Sequence, residues 1–428
     1  MSTPPGKTTG FGAGIGAVLP MMAVLYGLCL CNIFLRNSIG VLAPELSAEL
    51  GLAPALLGAI ASAFFIAYAV LQIPVGLMLD RFGPRRTVAG MFLFTVLGTG
   101  LFAVAPSGPV MVVARLAMGI GCAAVFSGAF MAISRFYAAE RFTGQAGTLN
   151  AFAMVGTFLA TAPLALLVAF AGWRESFGAI AVAIAVLAAI AWFAIRDRPA
   201  CSTPAPEAQE DLGAIFAGLG EVLRTPGIKI IASGGLALAA GNTILGIWGG
   251  PYLNDVHGLG EIARGQVLLF MAIAGVAGHF LYGQAARFFN TIKRMILAGL
   301  VVIALVTGTL AALPDPNLLT VTILLAVLGL ACGYPSLLAA HARAMVPDRL
   351  VGRGLTTVNT GVMVAIAGMQ FAVGAIIGAF PPTAAGSIAP ETFRIAFGFL
   401  SVMAVITFAL YLRSIDRKPR QTAIAPID

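Results

Sequence analysis

The chain has 428 residues, 59% of them hydrophobic and only 10% charged, with a formal net charge of +8. Soluble domains carry about 25% charged residues, so a water-facing surface cannot be built from this composition, and lipid must cover most of the molecule. A helix that crosses a bilayer takes about 20 apolar residues, which leaves room for about a dozen spans joined by short loops.

Apolar runs predict spans at 18–43, 54–78, 87–105, 109–133, 147–171, 175–195, 228–250, 265–286, 294–313, 318–341, 355–380 and 394–412. The first run is long enough to span and follows a polar, Gly- and Pro-rich start, which predicts no cleaved signal peptide. The polar stretch 196–227 contains Arg196, Asp197, Arg198, Pro199, Pro204, Pro206, Glu207, Glu210 and Asp211. It divides the chain into an N-terminal half, 1–195, and a C-terminal half, 228–428. The expected fold is an all-α membrane protein with twelve transmembrane helices in two pseudo-symmetric six-helix halves. The 51 glycines fit this reading, because small residues let helices approach closely in lipid. Cys29, Cys31, Cys122, Cys201 and Cys332 form no Cys-x-x-Cys pair and read as small buried residues, not as disulfides or metal ligands.

Charge placement gives an orientation. With the N-terminus in the cytoplasm, twenty of the 25 Lys and Arg fall in cytoplasmic segments. Arg174, Arg264 and Arg394 fall outside, while Arg36 and Arg115 lie within spans. This is the positive-inside pattern and predicts that both termini are cytoplasmic. The net positive charge is then topological, and nucleic acid is not expected as a partner.

The halves read as a duplication. Arg135, Glu140, Arg141 and Gly144 follow the fourth span, and Arg343, Asp348, Arg349 and Gly352 follow the tenth at the same spacing, 208 residues later. Gly121 and Gly329, and Thr148 and Thr356, match at the same offset. Parallel halves with a site between them at the membrane midplane are a known transporter arrangement.

Between the second and third spans stands Gly76-Leu-Met-Leu-Asp80-Arg81-Phe-Gly83-Pro-Arg85-Arg86-Thr87. This segment resembles the signature loop of the major facilitator superfamily. Arg115-Leu-Ala-Met-Gly119-Ile-Gly121 and Gly172-Trp173-Arg174-Glu175-Ser-Phe177 resemble two further elements of that family. Gly156 and Ala162-Pro163 only partly match its antiporter motif. The resemblance covers essentially the whole chain and implies alternating access by rocking of the two halves. On this reading Gly76 permits close helix contact and Asp80 accepts charge-assisted bonds at a gate. Arg81, Gly83, Arg85 and Arg86 complete the gating loop at the cytoplasmic face. In the second half Arg287 stands where the acid would be, so no carboxylate latch is expected there.

Arg36 and Arg115 are the sharpest internal features, since a charge inside a bilayer usually faces a bundle interior or an aqueous cavity. Asn32 lies four residues before Arg36, hence on the same helical face. The 17 acidic residues fall in loops or at span ends, so no embedded carboxylate neutralises these guanidiniums. Guanidinium grips carboxylate or phosphate with two bonds, which points to an anionic substrate. Arg115 can equally brace the first span through backbone carbonyls. His279 is the remaining ionisable group well inside a span, either a proton-coupling residue or a packed one. Asn242, Tyr334 and Asn359 are candidates to complete the pocket, with Thr243, Trp248 and Gln370 beside them. Trp248 and Tyr252 can also belong to an interfacial aromatic belt.

The expected function is a secondary active or facilitative transporter of a small anionic solute, in a bacterial inner membrane or a membrane derived from it, as a monomer without a cofactor or metal. One alternative is an exporter of amphiphilic or cationic compounds, and another is an assembly or signalling role on a transporter scaffold. No nucleophile–base pair, metal cluster or phosphate loop suggests an enzyme. Arg36-Asn-Ser-Ile-Gly40 and Pro251-Tyr-Leu-Asn-Asp-Val-His257-Gly-Leu resemble a bacterial branch with mostly unassigned substrates, to which magnetosome-membrane facilitators linked to iron supply are broadly similar; no cluster of carboxylates or His marks a bare-iron site, so iron would travel as an anionic chelate.

Overall fold

The computed structural model describes residues 11–137, 139–197, 220–347, 350–384 and 386–416. Most of the expected linker, and Asp348 and Arg349 of the repeated loop, lie outside the described residues. The regular structure described is helical throughout. In the first half the helices are α1 Phe11–Asn37, α2 Ile39–Leu50, α3 Pro54–Val70, α4 Gln72–Ala103, α5 Gly108–Cys122, α6 Val125–Phe136, α7 Ala139–Leu159, α8 Ala162–Ala171 and α9 Trp173–Ala194. The second half has α10 Ile228–Thr243, a π-helical turn at Ile244–Trp248, α11 Gly249–Asp255, α12 Glu261–Phe288, α13 Lys293–Ala312, α14 Leu318–Ala331, α15 Pro335–Arg343, α16 Val351–Gly378 and α17 Pro390–Tyr411.

Among the described residues, ten segments, some of them helices joined across a short break, are long and apolar enough to cross a membrane. The pair α7 and α8, bent by 41°, makes an eleventh, and α3 is a shorter apolar helix within the second expected span. Their outer faces carry large apolar side chains such as Phe170, 83% exposed, and Phe193, 79% exposed. Hydrocarbon covers such a surface, while each helix satisfies its own backbone polar groups. The chain is therefore an integral membrane protein.

The second and third expected spans meet at a kink rather than across a long loop. Two helices, written together as α4, join within the signature segment at one non-helical residue, Gly83, at φ 76° and ψ 169°. Glycine adopts that backbone without a steric penalty. A Cβ there would also strike the Asp197 carboxylate, which accepts the Arg85 N–H at 2.8 Å. The second half repeats the device: the Lys293 N–H donates to Asp416 at 3.0 Å, and the Thr291 hydroxyl donates to the same carboxylate at 2.6 Å. Arg85 and Lys293 are 208 residues apart, the offset of the repeated loops.

Several expected spans are interrupted, and two pairs of interruptions fall at about the same offset, while those at Leu71 and at Ala160–Thr161 fall opposite unbroken helix. The first span breaks at Ser38, whose counterpart 208 residues on is Gly246 in the π-helical turn. The fourth breaks at Ala123 and Ala124, and the tenth at Cys332–Tyr334, just before Pro335. Proline lacks an N–H and clashes with the carbonyl four residues earlier, which ends α14 there. Irregular backbone at membrane depth survives only inside protein or along a cavity. These breaks therefore mark the interior axis between the halves.

The two halves touch tightly at the end poor in Lys and Arg. A Cβ on Gly374 would stand 2.9 Å from the Pro54 carbonyl oxygen and 3.0 Å from the Gly58 Cα. The Ser62 hydroxyl donates across the seam to the Ala367 carbonyl at 2.8 Å. At the Arg-rich end the seam is apart. A Cβ on Gly76 or Gly283 would meet nothing within 4 Å. The close helix contact expected at Gly76 is thus absent in this conformation.

Candidate functional site

The site grows from the break in the first span. The last carbonyls of a helix have no partner within it and carry the negative end of its dipole. At the end of α1, Ser38 donates to the Leu35 carbonyl at 3.1 Å and Asn37 Nδ2 to the Ile33 carbonyl at 3.1 Å. Arg115, 1% exposed, donates from Nη1 to the same Leu35 carbonyl at 2.6 Å. Its guanidinium carbon lies 4.9 Å from the centroid of the Phe64 ring, a cation–π contact. Asn32, one turn before Arg36, donates from Nδ2 to the Cys122 carbonyl at 2.8 Å, at the break in the fourth span. Asn32 and Arg115 thus tie the two interrupted spans together.

Arg36 sits in the last turn of α1, half-buried, with its guanidinium carbon 4.4 Å from the Tyr68 centroid. Its Nε is buried without a hydrogen-bond partner, as are Arg115 Nε and Asn32 Oδ1. Among the described residues no carboxylate pairs with either guanidinium; Arg174 pairs with Glu49 and Arg264 with Glu45, both away from this site. Across the seam, a Cβ on Gly246 would lie 3.3 Å from Gln370 Nε2, 3.9 Å from the Arg36 carbonyl oxygen and 3.9 Å from Asn37 Oδ1. Gln370 is 1% exposed and its Oε1 has no partner. Thr243 Oγ1 and Trp248 Nε1, flanking the same turn, are also buried and unpartnered. A buried polar atom without a partner is costly. Several such atoms around matched helix breaks, beside a guanidinium with no counter-charge, fit a polar ligand carrying negative charge. The N-terminus of α2, which opens at Ile39, adds the positive end of a helix dipole beside Arg36.

The other residues singled out from sequence are not drawn into this cluster. Tyr334 is fully buried, and its hydroxyl donates to the Gly234 carbonyl at 2.8 Å, tying the break in the tenth span to α10. Tyr334→Phe should therefore cost about 1 kcal/mol of stability and leave substrate affinity unchanged; thermal melting with and without substrate on one preparation checks both. Asn242 donates to the Leu238 carbonyl at 3.2 Å, within its own helix. Asn359 is half-buried, eleven residues before Gln370 on α16 and so on the same face, about 16 Å toward the open end. His279 Nδ1 donates to the Gly275 carbonyl at 2.9 Å, leaving Nε2 free of that bond. Trp248 and Tyr252 are buried, which removes the belt reading for both.

The signature residues sit at the open end. Asp80 and Arg81 are exposed, and Arg86 likewise. Arg85 Nε donates to the Trp192 carbonyl at 2.8 Å, its guanidinium carbon lying 5.4 Å from the Trp192 centroid. Tyr68 under Arg36, and Asp197 under the loop, had no signal in the sequence, because each acts through a contact with a distant span.

Comparison with known proteins agrees with this geometry. The profile of the Major Facilitator Superfamily matches residues 25–368. A probable sulfoacetate transporter of Cupriavidus necator is 34% identical over 186 residues, 42% of this chain; the match spans about two-fifths of that relative's length, also 42%. A protein of Agrobacterium vitis provisionally named a tartrate transporter is 23% identical over 92% of both chains. In fold, the chain matches a bacterial homologue of the human lysosomal transporter Spinster, solved inward-facing and unoccupied. That match has a TM-score of 0.78 and 18% identity, over 94% of this chain and 97% of that one.

Proposed function

Because this chain belongs to the Major Facilitator Superfamily, and is a transporter and not an enzyme, we propose that it moves a small organic anion across the membrane by alternating access, with Arg36 holding the anion's charge. The observation that carries the reading is the Arg36 guanidinium, half-buried at a helix break with no carboxylate beside it. Sulfoacetate and tartrate, named for two relatives, are small anions of the kind such a site would take. Gln370, Thr243 and Trp248 supply uncharged polar contacts from the second half, so that both halves grip one ligand. Asn359 lines the way in from the open end.

With the Arg-rich end cytoplasmic, the conformation is open to the inside. Asp80, Arg81 and their neighbours on the signature segment then act when that end closes. His279 is the proton-coupling candidate through its Nε2. The iron and magnetosome alternative gains no support from the relatives or from the site.

A ligand that binds only the folded protein raises its stability. Purified protein screened against small carboxylates, sulfonates and organic cations should be stabilised by anions, and stabilisation by cations alone would overturn the reading. Uptake driven by a pH gradient should fall in His279→Gln if His279 carries the proton, and unchanged uptake would dismiss that role.

A further inference from the structure

At the closed, Arg-poor end three ionisable side chains meet across the seam. Glu45 is on α2, while Glu261 and Arg264 open α12. Arg264 donates from Nη2 to Glu45 Oε1, and from Nη1 to Asn254 Oδ1 at 2.7 Å and the Leu259 carbonyl at 3.3 Å. The Arg264 side chain is 2% exposed and that of Glu45 19%. Three atoms here are buried without partners: Glu45 Oε2, Glu261 Oε2 and Arg264 Nε. Two carboxylates and one guanidinium line the same cavity, and Arg264 bonds Glu45 alone of the two, so one formal negative charge is left over where the halves press together.

Among the described residues, no neighbouring element supplies the missing positive charge. From α8 comes Ala169, which with Gly260–Arg264 and Glu45 lines an outward-opening cavity of 440 Å³. From α11 comes Asp255, already bound by the Ile388 N–H at 2.9 Å and by Asn254 Nδ2 at 2.7 Å. His257 beyond it lies 3.5 Å from the Tyr252 hydroxyl. Glu49, one turn along α2, accepts from Trp173 Nε1 at 2.5 Å and from Arg174 at 2.8 Å.

We propose that the Glu45–Arg264–Glu261 cluster binds one proton from the outer side as the Arg-poor end closes, so that acid on that side holds this end shut. The proton comes through the outward cavity onto a carboxylate oxygen and leaves the same way when the seam opens. The direction follows from burial. Burial raises the Glu45 carboxyl above its usual range, Arg264 opposes this by charge and hydrogen bond, and Glu261 pushes it further up. When the seam opens, the carboxyl returns to water and to the ordinary range. The state with the raised value takes up the proton, so closure is favoured as pH falls toward the ordinary carboxylate range, and the advantage is lost as pH rises through the closed-state value. The inference rests on alternating access and not on the identity of the substrate.

The test needs no substrate. Spin labels at Ala53→Cys and Pro314→Cys, both exposed at this end on opposite halves, are placed in a chain whose own cysteines are alanine. Pulsed electron resonance then reads the ratio of long to short distances. From about pH 8 to about pH 5 that ratio should fall, by up to about tenfold per pH unit for one linked proton. Glu45→Gln and Glu261→Gln should each abolish the slope while keeping the short distance, since either leaves one carboxylate for one guanidinium. If Glu45→Gln folds poorly, Glu261→Gln gives the same reading. A ratio that ignores pH, that rises in acid, or that keeps its slope in the neutral variants overturns the proposal.

Discussion

Arg36→Gln should weaken anion binding by at least about a hundredfold and abolish measurable transport. Two hydrogen bonds to a charged group contribute about 1.5–3 kcal/mol each, and each 1.4 kcal/mol is about a factor of ten in affinity. Glutamine removes both the charge and the planar fork. Arg36→Lys keeps the charge without the fork and should recover part of the affinity, to within about tenfold of the native protein. The variants should insert and melt normally, because the Arg36 guanidinium makes no ion pair and rests on the Tyr68 ring. Arg115 is expected to behave differently. Its bond to the Leu35 carbonyl joins two broken spans, so Arg115→Gln should lower thermal stability as well as affinity. Titration of a stabilising anion against each variant separates the two roles. Equal affinity in the native protein and both Arg36 variants would make Arg36 structural.

Gly58→Val should trap the transporter with its Arg-poor end open. A Cβ on Gly58 would lie 2.8 Å from the Gln370 carbonyl oxygen and 3.1 Å from the Gly374 Cα, both backbone atoms of the other half. Neither can give way without parting α3 from α16. Overpacking of this kind costs about 1–3 kcal/mol, and the cost falls only on the conformation in which the seam is shut. The closed population should therefore drop by about five- to a hundredfold. Transport should fall while binding from the outer side persists, and distance measurements across the seam should show it apart. Normal transport with a closed seam would mean that α3 and α16 slide past the added side chain.

Much of the class was legible in the sequence, for a physical reason. The bilayer imposes long apolar runs and the translocation machinery an asymmetry of Arg and Lys, and both are properties of composition along the chain. The all-helical membrane fold follows from the first. Arg36 stood out because it interrupts an apolar run, and no tertiary knowledge is needed to see that its charge is costly there. What stayed hidden depends on contacts between distant segments. Tyr334 is polar, inside a span and at a break, all that a pocket residue needs by sequence, yet its hydroxyl is spent on Gly234. Asn32 has the spacing of a partner to Arg36 but turns its Nδ2 to the Cys122 carbonyl, exposed only because the fourth span breaks there. The π-helical turn at Ile244–Trp248 contains no proline itself; Pro251, one turn on, lacks the N–H that would pair with Ile247, but a proline alone does not tell a π turn from a kink. Glu45 sits just beyond the first span and counts as a loop acid until the two halves close over it and set it against Arg264. Asp197 and Asp416 gain meaning only from the backbone N–H groups of Arg85 and Lys293, each more than a hundred residues away.

The central claim is that this chain carries small organic anions through a site built on Arg36. Purified protein in liposomes, loaded with an unlabelled small carboxylate or sulfonate, should take up the same labelled anion by counterflow. That uptake should saturate, be competed by other small anions and not by organic cations, and vanish in Arg36→Gln. Counterflow of organic cations with none of any small anion, or anion counterflow unchanged in Arg36→Gln, would contradict the account.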